Sequence, residues 1–514
     1  MARAARWFGV LVVCVVCATV ALDLDDVNPL VRKAEYAVRG MILDRAMQIE
    51  ADLRDPARRA TWPFDRVVLC NIGNPQALGQ PPPAFAREVL SGVMNPALLD
   101  SGALDAAVVQ RARRYLAATT GGVGAYSESK GLRLVRDEVA AFIERRDGFP
   151  ADPESIFLTD GASAGVKHLA TLLLKGPGDA LLSPAPGYPL YGALAALSNA
   201  TIAPYYLDEA SGWSTSLDEL ERAYERSVTQ LGATPRALVV INPGNPTGAT
   251  LDRDALEAVV RFCQRRRLVL LADEVYQENV YAASPAPFVS FKKVVRDLKA
   301  DDVALVSFHS VSKGFTGECG LRGGYLELCN VAPDVVSQLV KLASIALCSN
   351  VPGQIAVGLM VNPPNDGGAE AATYRADRDA TLASLERRAQ RIAAALNALP
   401  GVSCDGATGA LYLFPNVELP ERAVLEAHSR GLAPDAFYAL NLLEHTGLVV
   451  VPGSGFGQRE GTFHFRTTFL PPEGDIDGVL DRLGAFHHGF LAQFADEPAD
   501  GAAAEETAPR GHEL

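Results

Sequence analysis

A mostly parallel α/β fold, joined to a smaller α+β domain, is what this 514-residue chain predicts. Three observations carry the prediction. From about residue 155, short apolar runs alternate with helical patterns, the signature of strands covered on both faces. The unusual loops, rich in Gly, Pro and hydroxyls, all follow the carboxyl end of such a run, where ligands bind in these sheets. After about Tyr374 a long helical pattern leads into short strands with alternating faces, which suits a second, smaller unit.

The chain opens with a short basic stretch and an apolar run over residues 8–22, with Ala18 and Ala21 near its end. A membrane-spanning helix needs about 20 apolar residues, so a cleaved leader over 1–22 is expected and no lasting span. Its apolar character on every face favours secretory entry, with a mitochondrial presequence as the alternative. The final Glu513-Leu514 resembles an ER-retrieval ending in those two residues only, and 496–514 has the composition of a disordered tail. The expected address is therefore the secretory pathway and ER lumen, the alternative the mitochondrial matrix.

Residues 23–59 read as a polar, helix-prone arm, amphipathic over 31–47. A short strand follows at 66–72, then helices at 103–118 and 131–145, separated by the glycine-rich segment that ends in Tyr126. Strands are predicted at 155–158, 180–183, 236–241, 268–271, 303–308 and 324–328, with helices at 166–174 and 252–266. A helix over 374–399 then leads to strands at 410–414, 448–452 and 462–469. The expected division is leader 1–22, arm and part of the small domain 23–115, large domain 116–360, C-terminal small domain 361–495 and tail 496–514.

Apolar residues make up 48% and charged residues 21%, as in a globular protein. The net charge of −14 argues against nucleic acid as a partner. Six of the eight cysteines lie outside the leader, without paired spacing, and read as mostly buried free thiols. The eight histidines form no metal-binding pattern, so no metal is expected.

The chemistry is concentrated in Ser310-Val-Ser-Lys-Gly314 and the run onward to Arg322. A lysine enclosed by small residues and hydroxyls can lose its proton and capture an aldehyde, and Lys313 is that lysine. Ser310, Ser312 and Arg322 can hold a phosphate beside it. Taken alone the stretch reads equally as a surface loop, but three further segments supply the remaining parts of a pyridoxal phosphate site. Asp273 ends a fully apolar strand and can pair with a ring nitrogen; the alternative is a carboxylate capping the next turn. Tyr276, and Asn245 in Asn242-Pro-Gly-Asn-Pro-Thr-Gly248, can donate to the ring oxygen. Gly161, Ala162 and Ser163 open a helix whose N–H groups suit an anion. Tyr188 can stack on the ring. Arg466 lies on an alternating strand; facing inward, its planar fork suits a substrate carboxylate.

These segments resemble the class I/II aminotransferases of pyridoxal phosphate fold type I, over about residues 25–493. The markers are the segments 71–80, 158–165, 242–248, 272–277, 310–325 and 450–461, of which 310–325 and 450–461 resemble the alanine branch of the family. The resemblance implies a large domain with a mostly parallel seven-stranded sheet and a homodimer. It implies that Lys313 carries the cofactor and the proton, Asp273 the ring nitrogen, and Asn245 and Tyr276 the ring oxygen. Ala162, Ser163, Ser310 and Arg322 would bind the phosphate, Tyr126 the phosphate of the partner's cofactor, and Arg466, Asn245 and Gly73 the substrate carboxylate. The activity implied is transfer of the amino group of L-alanine to 2-oxoglutarate by a ping-pong cycle. Another aminotransferase or lyase of the same fold is the alternative, aromatic or glyoxylate-using among them. A non-catalytic regulator is less favoured, because Lys313 and Asp273 are both present and no helix-turn-helix pattern precedes residue 60.

Overall fold

The computed structural model describes residues 22–36, 40–282, 284, 287–365 and 367–495. The leader, apart from Leu22, and the tail therefore lie outside the described residues.

A seven-stranded sheet forms the frame. Its strands are β1 (Ile156–Asp160), β2 (Asp179–Ala185), β3 (Thr201–Tyr206), β4 (Thr234–Ile241), β5 (Val269–Asp273), β6 (Leu305–Ser310) and β7 (Gly323–Cys329). They lie in the order β1-β7-β6-β5-β4-β2-β3. Only β7 runs against its neighbours, pairing antiparallel with both β1 and β6. The central strands read as apolar runs because both of their faces are covered: β2 and β6 are buried along their whole length. One side packs Phe262, Val259, Phe291 and Val294 against Leu238, Leu270 and Leu305. The other packs Val166, Leu169 and Tyr191 against Val239, Leu271 and Phe308.

β3 is the strand that the sequence reading passes over. Its Thr-Ile-Ala-Pro-Tyr-Tyr lacks strict alternation and carries Pro204. It lies at the sheet edge beside β2, where a missing N–H costs no ladder bond.

The second unit is built on the helix Ala369–Asn397. Its Leu385, Ala389 and Leu396 share a core with Phe437, Tyr438, Phe465, Phe486 and Phe490. The run 448–452 divides between two neighbours. Leu448–Val449 pairs in parallel with Val68–Leu69, while Val451–Pro452 pairs antiparallel with Phe465–Thr468. Tyr412–Leu413 occupies the other side of Phe465–Thr468. Helices Ala84–Met94 and Ala106–Ala118 pack through Val89, Val108 and Tyr115 against Val135, Ile143, Leu158 and Ile355, beside the large sheet. The amphipathic stretch 31–47 contains parts of two helices, Pro29–Lys33 and Met41–Arg54. Among the described residues no helix is long and apolar enough to cross a membrane.

All the parallel strands end at one edge of the sheet. There β5 delivers Asp273, β6 leads into Lys313, β4 into Asn245, β2 into Tyr188 and β1 into Gly161. The three-stranded sheet of the second unit brings Arg466 and Tyr412 to the same edge.

Candidate active site

These ends enclose a cavity of about 260 Å³. It is lined by Gly73, Ala162, Ser163, Tyr188, Asn245, Asp273, Tyr276, Ser310, Ser312, Lys313, Arg322 and Arg466, which is every candidate from the sequence except Gly161 and Tyr126. Tyr126 is 77% exposed and stands outside this chain's own cavity.

Lys313 is half-buried in the turn after β6, and its Nζ donates to the Gly73 carbonyl at 2.7 Å. A side chain on Gly73 would stand 2.9 Å from that Nζ and nearer still to the Tyr412 hydroxyl, so one or both would have to shift. Asp273, at the buried end of β5, accepts from the Tyr191 hydroxyl through Oδ2 at 2.9 Å, while Oδ1 has no partner. Burial pushes this carboxyl up to about 6; the Tyr191 hydroxyl, the Val275 backbone N–H and the Lys313 charge pull against that rise. A cationic N–H at Oδ1 would satisfy the orphaned oxygen and hold the group ionised.

Arg466 is 1% exposed. Its Nη1 donates to Asn245 Oδ1 at 2.9 Å, its Nη2 to the Asn71 carbonyl, and its Nε has no partner. The guanidinium lies between the Tyr412 and Phe456 rings, 4.3 and 4.8 Å from their centroids. A buried cation held only by neutral acceptors and rings is a receptor for a carboxylate.

At the opposite end, Ala162 and Ser163 begin the helix Ala162–Leu173, with Gly161 as its cap at φ 75 and ψ 166. Arg322 Nη2 donates to Ser163 Oγ at 3.2 Å and to the Asp160 carbonyl at 3.1 Å. Ser310 is buried and accepts from the Ser312 backbone N–H at 3.3 Å. Helix N–H groups, two serine hydroxyls and a guanidinium form a cup suited to a phosphate dianion.

Pyridoxal phosphate fits this arrangement. The free Asp273 oxygen, the anion cup and a lysine amine line one cavity. The groups that the sequence reading missed are neighbours of those it found. Tyr191 fixes Asp273 from the first turn of the helix after β2, three residues past Tyr188. Tyr36, from the N-terminal arm, meets Tyr188, hydroxyl to hydroxyl, at 2.6 Å. Tyr412 accepts from the Tyr276 hydroxyl at 3.0 Å. Cys319 Sγ contacts the Ser312 carbonyl at 3.1 Å. All six described cysteines are free thiols.

Known proteins place the chain. Residues 95–483 match the family model described as aminotransferase class I and II. The chain is 50% identical over 482 residues to a probable mitochondrial alanine aminotransferase of Dictyostelium discoideum, covering 92% of this chain and 90% of that one. It is 48% identical to alanine aminotransferase 1 of Homo sapiens, over 92% of this chain and 96% of the relative. It is 45% identical to glutamate–glyoxylate aminotransferase 2 of Arabidopsis thaliana, over 93% and 98%. Among solved structures, an aminotransferase of Escherichia coli superposes with a TM-score of 0.68 at 26% identity, covering 90% of this chain and 98% of that one. The chain belongs to the class I and II aminotransferases.

Proposed function

We propose that this protein is a pyridoxal phosphate-dependent aminotransferase that carries the amino group of L-alanine to 2-oxoglutarate, yielding pyruvate and L-glutamate. The observation that carries the reading is the pairing, in one cavity, of a lysine amine with a buried arginine that lacks a counter-charge. Relatives named alanine aminotransferase, about half identical along almost the whole chain, support alanine as the donor. When bound, the cofactor supplies an aldehyde that takes up amines and a ring that draws electrons from the substrate Cα.

The chain's residues do the rest. Lys313 Nζ would hold the aldehyde and, when free, would take the proton from the substrate Cα. Asp273 keeps the ring nitrogen protonated, with Tyr191 holding its other oxygen. Asn245 and Tyr276 would donate to the ring oxygen, and Tyr188 would pack against the ring. Ala162, Ser163, Ser310 and Arg322 hold the phosphate. Arg466 grips the substrate carboxylate, with Asn245 and Gly73 beside it.

The protein acts as a homodimer in this reading, with the partner subunit's Tyr126 reaching the phosphate; the exposure of Tyr126 outside its own cavity supports this. The leader is assigned to mitochondrial import, in place of the secretory entry expected from its apolar character. Relatives from Dictyostelium discoideum and Arabidopsis thaliana that carry mitochondrial names support that address. The relatives named glutamate–glyoxylate aminotransferase favour glyoxylate as a second acceptor.

The test is the absorbance of purified, pyridoxal phosphate-loaded protein before and after L-alanine is added without an acceptor. The expected result is loss of the visible band of the lysine-bound cofactor and a new near-ultraviolet band, with pyruvate released in equal amount. Lys313→Ala should abolish both. Bleaching by another amino acid but not by alanine would remove alanine, and full turnover by Lys313→Ala would remove the mechanism.

A further inference from the structure

Tyr412 is 2% exposed and stands on the short strand Tyr412–Leu413, opposite Thr468. Three residues with work in the proposed reaction meet it. Tyr276 donates to its hydroxyl at 3.0 Å, the two rings edge to face with centroids 5.8 Å apart. The Arg466 guanidinium lies 4.3 Å from its ring centroid. A side chain built on Gly73 would stand 2.9 Å from Lys313 Nζ and closer still to the Tyr412 hydroxyl, so hydroxyl and amine approach each other across Gly73. Burial alone would push Tyr412 up; the charges on Lys313 and Arg466 and the bond from Tyr276 outweigh it, against a small opposing effect of Cys319, and bring the phenol below its ordinary value. The hydroxyl is thus a good donor as well as an acceptor.

A phenol has a single O–H to give. In the structure Tyr276 spends its proton on Tyr412, and the same proton cannot also reach a ring oxygen. We propose that Tyr412 is a positioning residue that reverses this hydrogen bond when the cofactor is in place, donating to Tyr276 so that the Tyr276 proton is free for the ring oxygen. The proposal rests on the pyridoxal phosphate reading above. Reversal also strengthens the donor, because a hydroxyl that accepts a hydrogen bond gives a stronger one. The Tyr412 ring has a separate task, which is to hold the Arg466 fork in place.

The two tasks separate by substitution. Tyr412→Phe keeps the ring on Arg466 and removes only the hydroxyl. A donor at the ring oxygen favours the high-pH form of the lysine-bound cofactor, in which that oxygen carries its full negative charge. Weakening the donor therefore raises the midpoint of the absorbance-monitored pH titration. In the full-length holoenzyme without substrate, Tyr412→Phe should raise that midpoint by a few tenths of a pH unit, about the cooperative share of one hydrogen bond. The KM for L-alanine should stay unchanged. Tyr412→Leu should raise the midpoint equally and raise KM as well. In a Tyr276→Phe background, Tyr412→Phe should produce no further shift. A Tyr412→Phe midpoint that overlays the wild type, or an equal shift with Tyr276 already removed, would overturn the proposal. Failure of the wild-type protein to bleach with L-alanine would instead sink the reaction on which it rests.

Discussion

In the proposed reaction, Arg466 is the residue that would hold the substrate carboxylate. It is buried, and its donors meet an amide oxygen, a carbonyl oxygen and nothing at Nε. Leaving a cation in such a place is costly, and the cost is recovered when a carboxylate arrives. Bidentate geometry matters here as well as charge, since the guanidinium is clamped between two rings. Arg466→Lys keeps the charge but loses the fork and the stacking. Its expected effect is a rise in the KM for L-alanine of roughly tenfold to a hundredfold, the range for hydrogen bonds to a charged group. Steady-state kinetics with alanine varied would show it. A KM within experimental error of the wild type would place the carboxylate elsewhere.

At the scale of elements, the site is made by strand ends and the turns that follow them. The turn from β1 into the helix Ala162–Leu173 is the most constrained. Gly161 lies at φ 75 and ψ 166, a region open to glycine alone, and a side chain there would run into the Arg322 guanidinium. A side chain on Gly324 of β7, which pairs with Thr159, would run into the Gly161 and Ala162 backbone. Gly161→Ala should therefore cost about 1–3 kcal/mol through backbone strain and also displace Arg322 from the anion cup. The expected outcome is a melting temperature lower by a few degrees and weaker pyridoxal phosphate binding by the apoprotein, measured by fluorescence titration. Unchanged cofactor affinity would mean that the helix start and Arg322 do not hold the phosphate.

At the scale of the whole molecule, the exposed aromatic Tyr126 has apolar company. Ser129 of its loop is bonded to Ser344 at 3.0 Å, and Ser127 to Gln354 at 2.9 Å, which sets the loop beside the end of helix Pro333–Ile345. Ile345 and Leu347 there are 78% and 52% exposed. Exposed apolar side chains gathered beside a residue assigned to the partner's cofactor are what a subunit interface requires. Sedimentation velocity should find a dimer. Ile345→Asp should shift it toward monomer and loosen the cofactor in parallel. A monomeric wild-type protein with full cofactor affinity would remove the shared site.

Much of this protein was legible in the amino-acid order. The buried parallel strands announced themselves as unbroken apolar runs, and the lysine, aspartate, asparagine and glycine-rich turns each followed one of them. Local rules suffice there, because a strand buried on both faces and a turn with fixed backbone angles leave few choices of residue. The edge strand β3 escaped, since an edge makes weaker demands and tolerates Pro204. So did Tyr191, Tyr36 and Tyr412, which carry no motif and whose partners lie 82, 152 and 136 residues away in the chain. What the sequence alone determined was the fold class and the reactive groups, through periodicity and turn chemistry. What only the tertiary structure decided was which hydroxyls stand behind those groups, because a hydrogen bond between distant segments depends on packing and leaves no periodic trace.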